Sequence, residues 1–288
     1  MKNNKHIERI ISGIFLLLGL ITVGCVLLIT IYLVVAGMPA IIEIGPIDFF
    51  LGKKWASTAI EAKYGILPFI LTSVYGTAGA VVIGVPIGFM TAVYLSKLAS
   101  PNVKGIMQAA VSLLAGIPSV VYGLVGMLVL VPGIRKIFDI PDGAGLFASI
   151  IVLAIMILPS VIKMSVTALD AVPKEYEDAS LAIGATKIET YFRVSVPAAK
   201  SGIATAVVLG VGRAIGEAMA VMMVAGNAPN MPDSLFQSVR FLTTAVASEM
   251  SYSSGLQQQA LFSIALVLFL FIMLINGTLN FFLKKEKE

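Results

Sequence analysis

The sequence predicts an all-α integral membrane protein, a bundle of six transmembrane helices. Hydrophobic residues make up 58% of the 288-residue chain and charged residues only 12%, about half the charged share of an ordinary soluble domain. The charges are clustered and separated by long uncharged stretches, each of at least the roughly 20 apolar residues that a transmembrane helix needs. Backbone groups in lipid must be hydrogen-bonded internally, so stretches of this length are helices, and the short alternating segments of a β-barrel are missing.

Five apolar stretches carry no charge, namely 10–42, 64–96, 105–134, 143–162 and 250–283, and a sixth, 201–226, carries only Arg213 and Glu217. The predicted spans, in chain order, are 10–36, 67–95, 106–131, 144–168, 202–226 and 259–283. The outer loops are then 37–66, 132–143 and 227–258, and the inner loops are 96–105 and 169–201.

Basic residues predict the orientation, because cytoplasmic loops carry an excess of Lys and Arg. With a cytoplasmic N-terminus, most basic residues fall inside, in the two tails and the two inner loops. Both termini are therefore predicted to be cytoplasmic. The predicted divisions are a tail 1–9, a first transmembrane helix with its outer loop 10–66, a five-helix core 67–283 that includes a cytoplasmic loop 171–200, and a tail 284–288.

Glycines and prolines indicate how the spans pack. Gly84 with Gly88, and Gly212 with Gly216, form pairs of small residues four apart, which let helix backbones approach closely in lipid. Pro86 and Pro118 each remove a helical donor and are predicted to kink their spans. A packing kink is favoured over a hinge for alternating access.

Several kinds of chemistry lack candidate residues. Cys25 is the only cysteine and His6 the only histidine, so neither an intrachain disulfide nor a histidine-based metal site is expected. The sequence contains no GxxxxGK[ST] loop for nucleotide phosphates and no Ser/His/Asp set. Any ATP-driven transport must therefore draw its energy from another subunit.

The segment 171–203 is too polar to span and is predicted to form a helix, a glycine turn and a second helix. Pro173 suits the start of a helix, Gly184 suits a left-handed helix end, and a second helix follows from about Thr186. The segment also carries apolar side chains. From the residues alone, it either lies on lipid headgroups or docks a partner, since amphipathic helices serve both uses.

The stretch DASLAIGATKIETYFRVSVP, residues 178–197, resembles the EAA loop of ABC importer permeases. The matching positions are Asp178, Ala179, Ser180, Gly184, Val194, Val196 and Pro197. The departures are Asp for Glu, Ser for the second Ala and Val for Leu. In that family the loop inserts a coupling helix into the cytoplasmic ATPase. The resemblance therefore implies an ATPase-coupling role for Asp178, Ala179, Ser180, Gly184 and Pro197.

Further blocks are similar to the phosphate importer permeases of the PstC type. They are YGILPFI (64–70), LAGIPSVVYGLVG (114–126), VLAIMILP (152–159), SVTALDAVP (165–173) and GRAIGEAMAVMMVAGN (212–227). The resemblance implies the type I importer permease fold. It also implies a homologous second permease (PstA type), two cytoplasmic ATPase subunits (PstB type) and an extracytoplasmic phosphate-binding protein (PstS type). This chain would bind no cofactor, and ATP and Mg would bind to the partner ATPase.

Arg213 and Glu217 are four residues apart and would share one face of a continuous helix. A lone charge in a span costs about 2.5–3.5 kcal/mol on insertion scales. The two either neutralise each other and fix helix register, or Arg213 meets an anionic substrate through its paired donors. In the second case Glu217 holds Arg213 when the substrate is absent. The resemblance favours the second interpretation, because both residues match the pair implicated in that family.

Other functions stay open on the residues alone. Within the same class, the substrate is sulfate, molybdate or another oxyanion. A secondary transporter or channel driven by a gradient is a second class, although no convincing internal repeat is present. An intramembrane enzyme is a third, for which only Arg213 and Glu217 are available.

Overall fold

The computed structural model describes residues 2–285, which are mainly helical. Residues 286–288 of the predicted C-terminal tail, and Met1, lie outside the described residues. The elements are α1 (Lys2–Ile44), α2 (Pro46–Leu51), β1 (Trp55–Ala56), β2 (Lys63–Tyr64), α3 (Leu67–Val93), α4 (Pro101–Gly116), α5 (Ser119–Val125), α6 (Val131–Phe138), α7 (Leu146–Asp170), α8 (Lys174–Ala182), α9 (Lys187–Thr190), α10 (Val196–Ala198), α11 (Lys200–Gly216), α12 (Met219–Val224), α13 (Leu242–Glu249) and α14 (Gly255–Lys285). Turns of π-helix occupy Tyr94–Leu98, Gly126–Leu130 and Tyr191–Ser195.

The predicted all-α membrane bundle is confirmed. Across residues 2–285, the helical stretches long and apolar enough to cross a membrane are Glu8–Ile44, Leu67–Leu98, Ser119–Phe138, Leu146–Asp170 and Gly255–Thr278. The pair Lys187–Ala198 and Lys200–Gly216, bent by 71°, makes a sixth span if it is counted as one. The bend lies close to the predicted start of the fifth span.

The third span is displaced from its predicted position 106–131. α4 ends at Gly116, Ile117 and Pro118 are extended, and the apolar stretch long enough to cross is Ser119–Phe138. Pro118 has no backbone N–H, and its ring disfavours helical geometry in the preceding residue. The proline therefore separates two helices, where the sequence predicted only a kink.

The first helix is longer than predicted and makes few contacts within the chain. Every side chain from Glu8 to Ile29 is exposed. Only the C-terminal part of α1 packs closely, and it packs on α14, where a Cβ at Gly37 would lie 3.0 Å from the Ser263 backbone. The Ser263 hydroxyl donates a 2.5 Å hydrogen bond to the Gly37 carbonyl. The outer surface of α1 is thus left for lipid or another subunit.

The centre of the bundle is the contact of α3 with α7. A Cβ added at Gly84 would lie 2.9 Å from the Ala154 carbonyl oxygen, and one at Gly88 would lie 2.9 Å from the Val161 side chain. The predicted close packing at this glycine pair is confirmed. α7 is the most buried of the spanning helices, because α3, α4 and α11 all pack around it.

At the outer end, a short hairpin is attached to the last two helices through one carboxylate. β1 pairs antiparallel with β2, and the ring of Trp55 packs on that of Phe69 with their centroids 5.5 Å apart. The Trp55 indole N–H donates to Glu249 at 3.2 Å, and Gln257 donates to the same carboxylate at 3.0 Å. Arg240 forms an ion pair with Glu249. The hairpin, α13 and α14 are thereby joined.

Candidate functional site

The fifth predicted span, 202–226, is broken near its middle. α11 ends at Gly216, Glu217 has extended backbone (φ −73°, ψ 129°), and α12 begins at Met219. The prediction of one continuous helix is therefore wrong. No proline lies at this position, so the sequence carries no strong local signal for the break.

The groups freed by the break find partners on neighbouring elements. The Glu217 carboxylate accepts a 3.0 Å hydrogen bond from the backbone N–H of Ala220, in the first turn of α12. The Glu217 carbonyl, which has left the α11 ladder, accepts a 2.7 Å bond from the hydroxyl of Thr243 in α13. These bonds satisfy polar groups that would otherwise be costly away from water. Thr243 was not identified from the sequence.

Arg213 lies in the last turn of α11 and is half-buried. Within residues 2–285 its guanidinium has neither a hydrogen bond nor an ion pair. The predicted pairing with Glu217 is therefore wrong for this structure, because the break turns that carboxylate toward α12. Gly212 and Gly216, on either side of Arg213, have nothing within 4 Å of an added Cβ. The unpaired cation thus borders open space.

A second broken helix packs beside the first. α5, which begins just after Pro118, contacts α12 so closely that a Cβ at Gly123 would lie 2.8 Å from the Ala220 Cα. The Tyr122 hydroxyl donates a 2.7 Å bond to the Leu114 carbonyl at the end of α4. Irregular backbone at membrane depth is tolerated only inside protein or along a water-filled cavity. Broken helices are a usual site of substrate contact in transporters.

The polar loop forms the predicted helix, glycine turn and helix. α8 follows Pro173 and ends at Ala182, and Gly184 then takes a left-handed conformation with φ +93°. α9 starts with a capping box, in which the Thr186 hydroxyl accepts from the Glu189 N–H (3.3 Å) and the Thr186 N–H donates to the Glu189 carboxylate (3.0 Å). The turn geometry thus follows from local sequence signals.

Large apolar side chains on this loop remain exposed. They are Tyr176, Leu181, Ile183, Ile188 and Phe192, with Ile183 at 88% exposure. α8 has no buried residue at all. Clusters of exposed apolar side chains rimmed by polar residues mark interaction surfaces.

The predicted coupling residues divide between two parts of the loop. Asp178 and Ala179 are exposed on α8, and Ser180 is half-buried, with its hydroxyl 2.9 Å from that of Thr190. Gly184 ends the same helix. The structure thus brings together four of the five residues in one helix and its terminal turn. Pro197 is exposed in α10, beyond the π-helical turn.

The loop is fixed to the bundle by residues that the sequence analysis did not single out. The Glu177 carboxylate lies 2.6 Å from the Lys97 ammonium and accepts a 2.8 Å bond from the Ser195 hydroxyl. Burial alone would raise the Glu177 pKa, but these two donors outweigh it and hold the pKa below its ordinary value of 4.5. No local sequence pattern links Lys97 to Glu177, because the two residues lie on distant segments of the chain.

Comparison with known proteins gives one matching family and many relatives. Residues 84–286 match the family described as binding-protein-dependent transport system inner membrane component. A probable ABC transporter permease protein of Bacillus subtilis, YqgH, is 40% identical over 266 residues, which is 90% of this chain and 86% of the relative. The phosphate transport system permease protein PstC of Haemophilus influenzae is 33% identical over 288 residues, covering 93% of this chain and 90% of the relative.

Solved structures share the fold at low sequence identity. A chain of the MetNI methionine ABC transporter in inward-facing conformation aligns with a TM-score of 0.57 at 20% identity, covering 77% of this chain and 94% of that one. A second likeness is to a chain of a bacterial alginate ABC transporter in complex with a periplasmic protein bound to an alginate pentasaccharide. The alignment has a TM-score of 0.59 at 15% identity and covers 93% of this chain and 92% of that one. These likenesses support the same helical architecture.

Proposed function

This chain belongs to the family of binding-protein-dependent transport system inner membrane components, and we propose that it is the PstC-type permease subunit of an ATP-driven phosphate importer. As a member, it is a multi-pass protein of the cytoplasmic membrane and works with ATPase and substrate-binding partners. Its 33% identity to a PstC permease over nearly the whole chain carries the proposal of phosphate as the substrate.

Arg213 is the residue that contacts phosphate in the pathway. It is a half-buried cation without a counter-ion in residues 2–285, at the end of a broken membrane helix. A guanidinium presents parallel donors that match two phosphate oxygens. An Arg already neutralised by a carboxylate would meet an anion less strongly, so its unpaired state supports this role.

Glu217 acts mainly by keeping the helix broken. Its carboxylate caps α12 and its carbonyl is held by α13, and this keeps the last turn of α11 at the edge of the break. Because the Glu217 carboxylate is bonded to α12, it does not neutralise Arg213 before an anion arrives.

The loop 171–200 transmits the conformational change of the ATPase to the membrane helices. Its exposed apolar side chains and the residues Asp178, Ala179, Ser180, Gly184 and Pro197 form the surface that enters the ATPase groove. ATP and Mg bind to that partner, and this chain supplies no nucleotide site. The remaining partners are a PstA-type second permease, PstB-type ATPases and a PstS-type phosphate-binding protein at the outer loops, with both termini of this chain in the cytoplasm.

Competition in vesicles tests the substrate. The complex of this chain with its partner permease, ATPase and binding protein is reconstituted, and uptake of radiolabelled phosphate is measured against excess unlabelled phosphate, sulfate or molybdate. We expect only unlabelled phosphate to suppress uptake. Equal suppression by sulfate or molybdate would instead make the chain a general or different oxyanion permease.

Purification tests the energy source. ATPase subunits are expected to co-purify with the wild-type chain from solubilised membranes and to be lost when Gly184 or Asp178 is substituted. Uptake driven by an ion gradient, catalysed by the purified chain alone, would contradict the proposal and support a secondary transporter.

A further inference from the structure

Lys97 lies at the loop end of α3, in the π-helical turn Tyr94–Leu98, and its side chain is only 10% exposed. Its ammonium is 2.6 Å from Glu177 of α8 and donates a 3.0 Å bond to the Leu169 carbonyl near the end of α7. The fully buried Ser195 hydroxyl donates to the same Glu177 oxygen. One lysine thus joins α3, α7 and the polar loop.

A second set of bonds lies next to the first. Asp170, the last residue of α7, accepts a 2.6 Å bond from the Ser96 hydroxyl and lies 2.9 Å from the Lys104 ammonium in α4. Ser96 is the neighbour of Lys97 in the same turn. We define the loop clasp as Ser96, Lys97, Lys104, Asp170 and Glu177. It holds the ends of α3, α4 and α7 together where the loop leaves the bundle.

Within residues 2–285, the clasp supplies the side-chain bond that attaches α8 to the bundle. α8 has no buried residue, and its close packing is with α9 and the π-helical turn of the same loop. Among residues 2–285, the Glu177 carboxylate is the one side-chain group of α8 that bonds to an element outside the loop. Apolar packing, which fixes most helices, therefore contributes little to the position of α8 relative to α3.

The clasp is poorly suited to a role in stability alone. The Lys97–Glu177 pair is partly buried and the Lys104–Asp170 pair is more exposed. Such pairs contribute little net stability, because solvent screens an exposed pair and desolvation offsets the attraction in a buried one. What such a pair supplies is a directional link between two elements. Here the link connects the exposed face of α8 to α3, and α3 packs tightly on α7 through Gly84.

We propose that Lys97 is a positioning residue that makes the coupling helix α8 and the helix α3 move as one body, so that a push on the loop reaches the bundle. The inference rests on the proposed coupling of loop 171–200 to an ATPase. The movement can pass from α3 to α7 and then to α11, because α7 packs closely on α11. A Cβ added at Gly210 of α11 would lie 3.1 Å from the Val161 side chain of α7. α11 carries Arg213 at its far end.

The test compares phosphate imported per ATP hydrolysed in reconstituted complexes. Lys97→Met removes the charge but keeps most of the side-chain volume, and we expect the ratio to fall by about tenfold, within the usual range of coupling between sites. The ATPase is expected to remain bound. Arg9→Met, at an exposed basic residue of α1 that belongs neither to the loop clasp nor to the outer loops, is the control for loss of a positive charge and is expected to behave as wild type.

Charge reversal separates a direct link from a general structural defect. In Lys97→Glu combined with Glu177→Lys, the two charges exchange places, and we expect the ratio to recover to within about threefold of wild type. Either single reversal is expected to remain uncoupled. A wild-type ratio in Lys97→Met, or no recovery in a double variant that assembles normally, would overturn the proposal.

A crosslink tests rigid movement directly, and it also covers the case in which Lys97→Met does not assemble. In a Cys25→Ser background, Lys97→Cys and Glu177→Cys are joined by a short bifunctional thiol reagent. If α3 and α8 move as one body, crosslinking restores the coupling that the two cysteines lose. Blocked transport after crosslinking contradicts the inference. Failure of the ATPase to co-purify with the wild-type chain would instead contradict the proposed function.

Discussion

Arg213 carries a charge at a depth where insertion costs about 2.5–3.5 kcal/mol, and residues 2–285 offer it no counter-ion. Charged residues that carry such a free-energy cost within the membrane are usually functional. Replacing Arg213 with Ala is expected to lower phosphate uptake by roughly 10- to 100-fold, since a hydrogen bond to a charged group contributes about 1.5–3 kcal/mol. Uptake into vesicles measures the loss.

Assembly distinguishes this effect from misfolding. The Arg213→Ala complex is expected to retain its ATPase and its thermal midpoint, and Arg213→Lys is expected to keep partial uptake, because Lys offers a point charge without the paired donors. Normal uptake by Arg213→Ala would exclude the pathway role.

Glu177 makes a second prediction at the scale of single residues. Its pKa is lowered in the folded protein, so the folded state favours the carboxylate. The stability that this group contributes is complete above its ordinary pKa of 4.5 and is lost as the pH falls through the lower, folded value. The difference in thermal midpoint between wild type and Glu177→Gln should therefore be constant near neutrality and vanish in acid. A difference that changes around pH 7 would contradict the assignment.

The glycine turn determines the shape of the coupling segment. Gly184 has φ +93° and nothing within 4 Å of an added Cβ, so only backbone strain, of roughly 1–2 kcal/mol, opposes a side chain there. Gly184→Ala should displace α9 relative to α8 and weaken ATPase binding by about tenfold, so that the ATPase is lost during purification. Gly105→Ala, which also has open space but ordinary φ, is the control. Equal retention by both variants would indicate that the turn has no role in docking.

The α3–α7 contact depends on a missing side chain. At Gly84 a Cβ would lie 2.7 Å from Ile157 Cδ1 and 2.9 Å from the Ala154 carbonyl. Gly84→Ala is therefore expected to destabilise the chain by about 1–3 kcal/mol through overpacking, seen as a lower thermal midpoint in detergent. Gly24→Ala, in the open part of α1, should leave the midpoint unchanged. If the two variants are equally stable, the helices separate more easily than this contact implies.

Local sequence signals predicted some elements and missed others. The turn at Gly184 and the cap at Thr186 could be predicted because each uses residues only a few positions apart. Pro118 marked its position but not whether the helix would kink or separate. The break at Glu217 depends on Thr243 of another helix, and the Lys97–Glu177 pair joins distant segments. Neither depends on a local pattern, so neither could be predicted from one.

As a whole, the chain has apolar surface that its own folding does not cover. The outer face of α1 is exposed over many turns, and an apolar groove of about 610 Å³ lies beside α5, α6 and α7, lined by residues such as Val125, Val129 and Ile155. Lipid covers part of such a surface, and the proposed second permease covers part. Co-purification with that permease is expected to raise the thermal midpoint, because a partner that binds only the folded state stabilises it. An unchanged midpoint would indicate that the two subunits do not form a stable contact.

The outer hairpin also carries an intrinsic fluorescent probe. Trp55 is the only tryptophan in the chain; its indole is almost fully enclosed and hydrogen-bonded to Glu249. In the purified chain, fluorescence excited at the indole band therefore comes from one known position near the outer end of the bundle. A red-shifted spectrum would report water reaching the ring beneath the hairpin, with no dye attached.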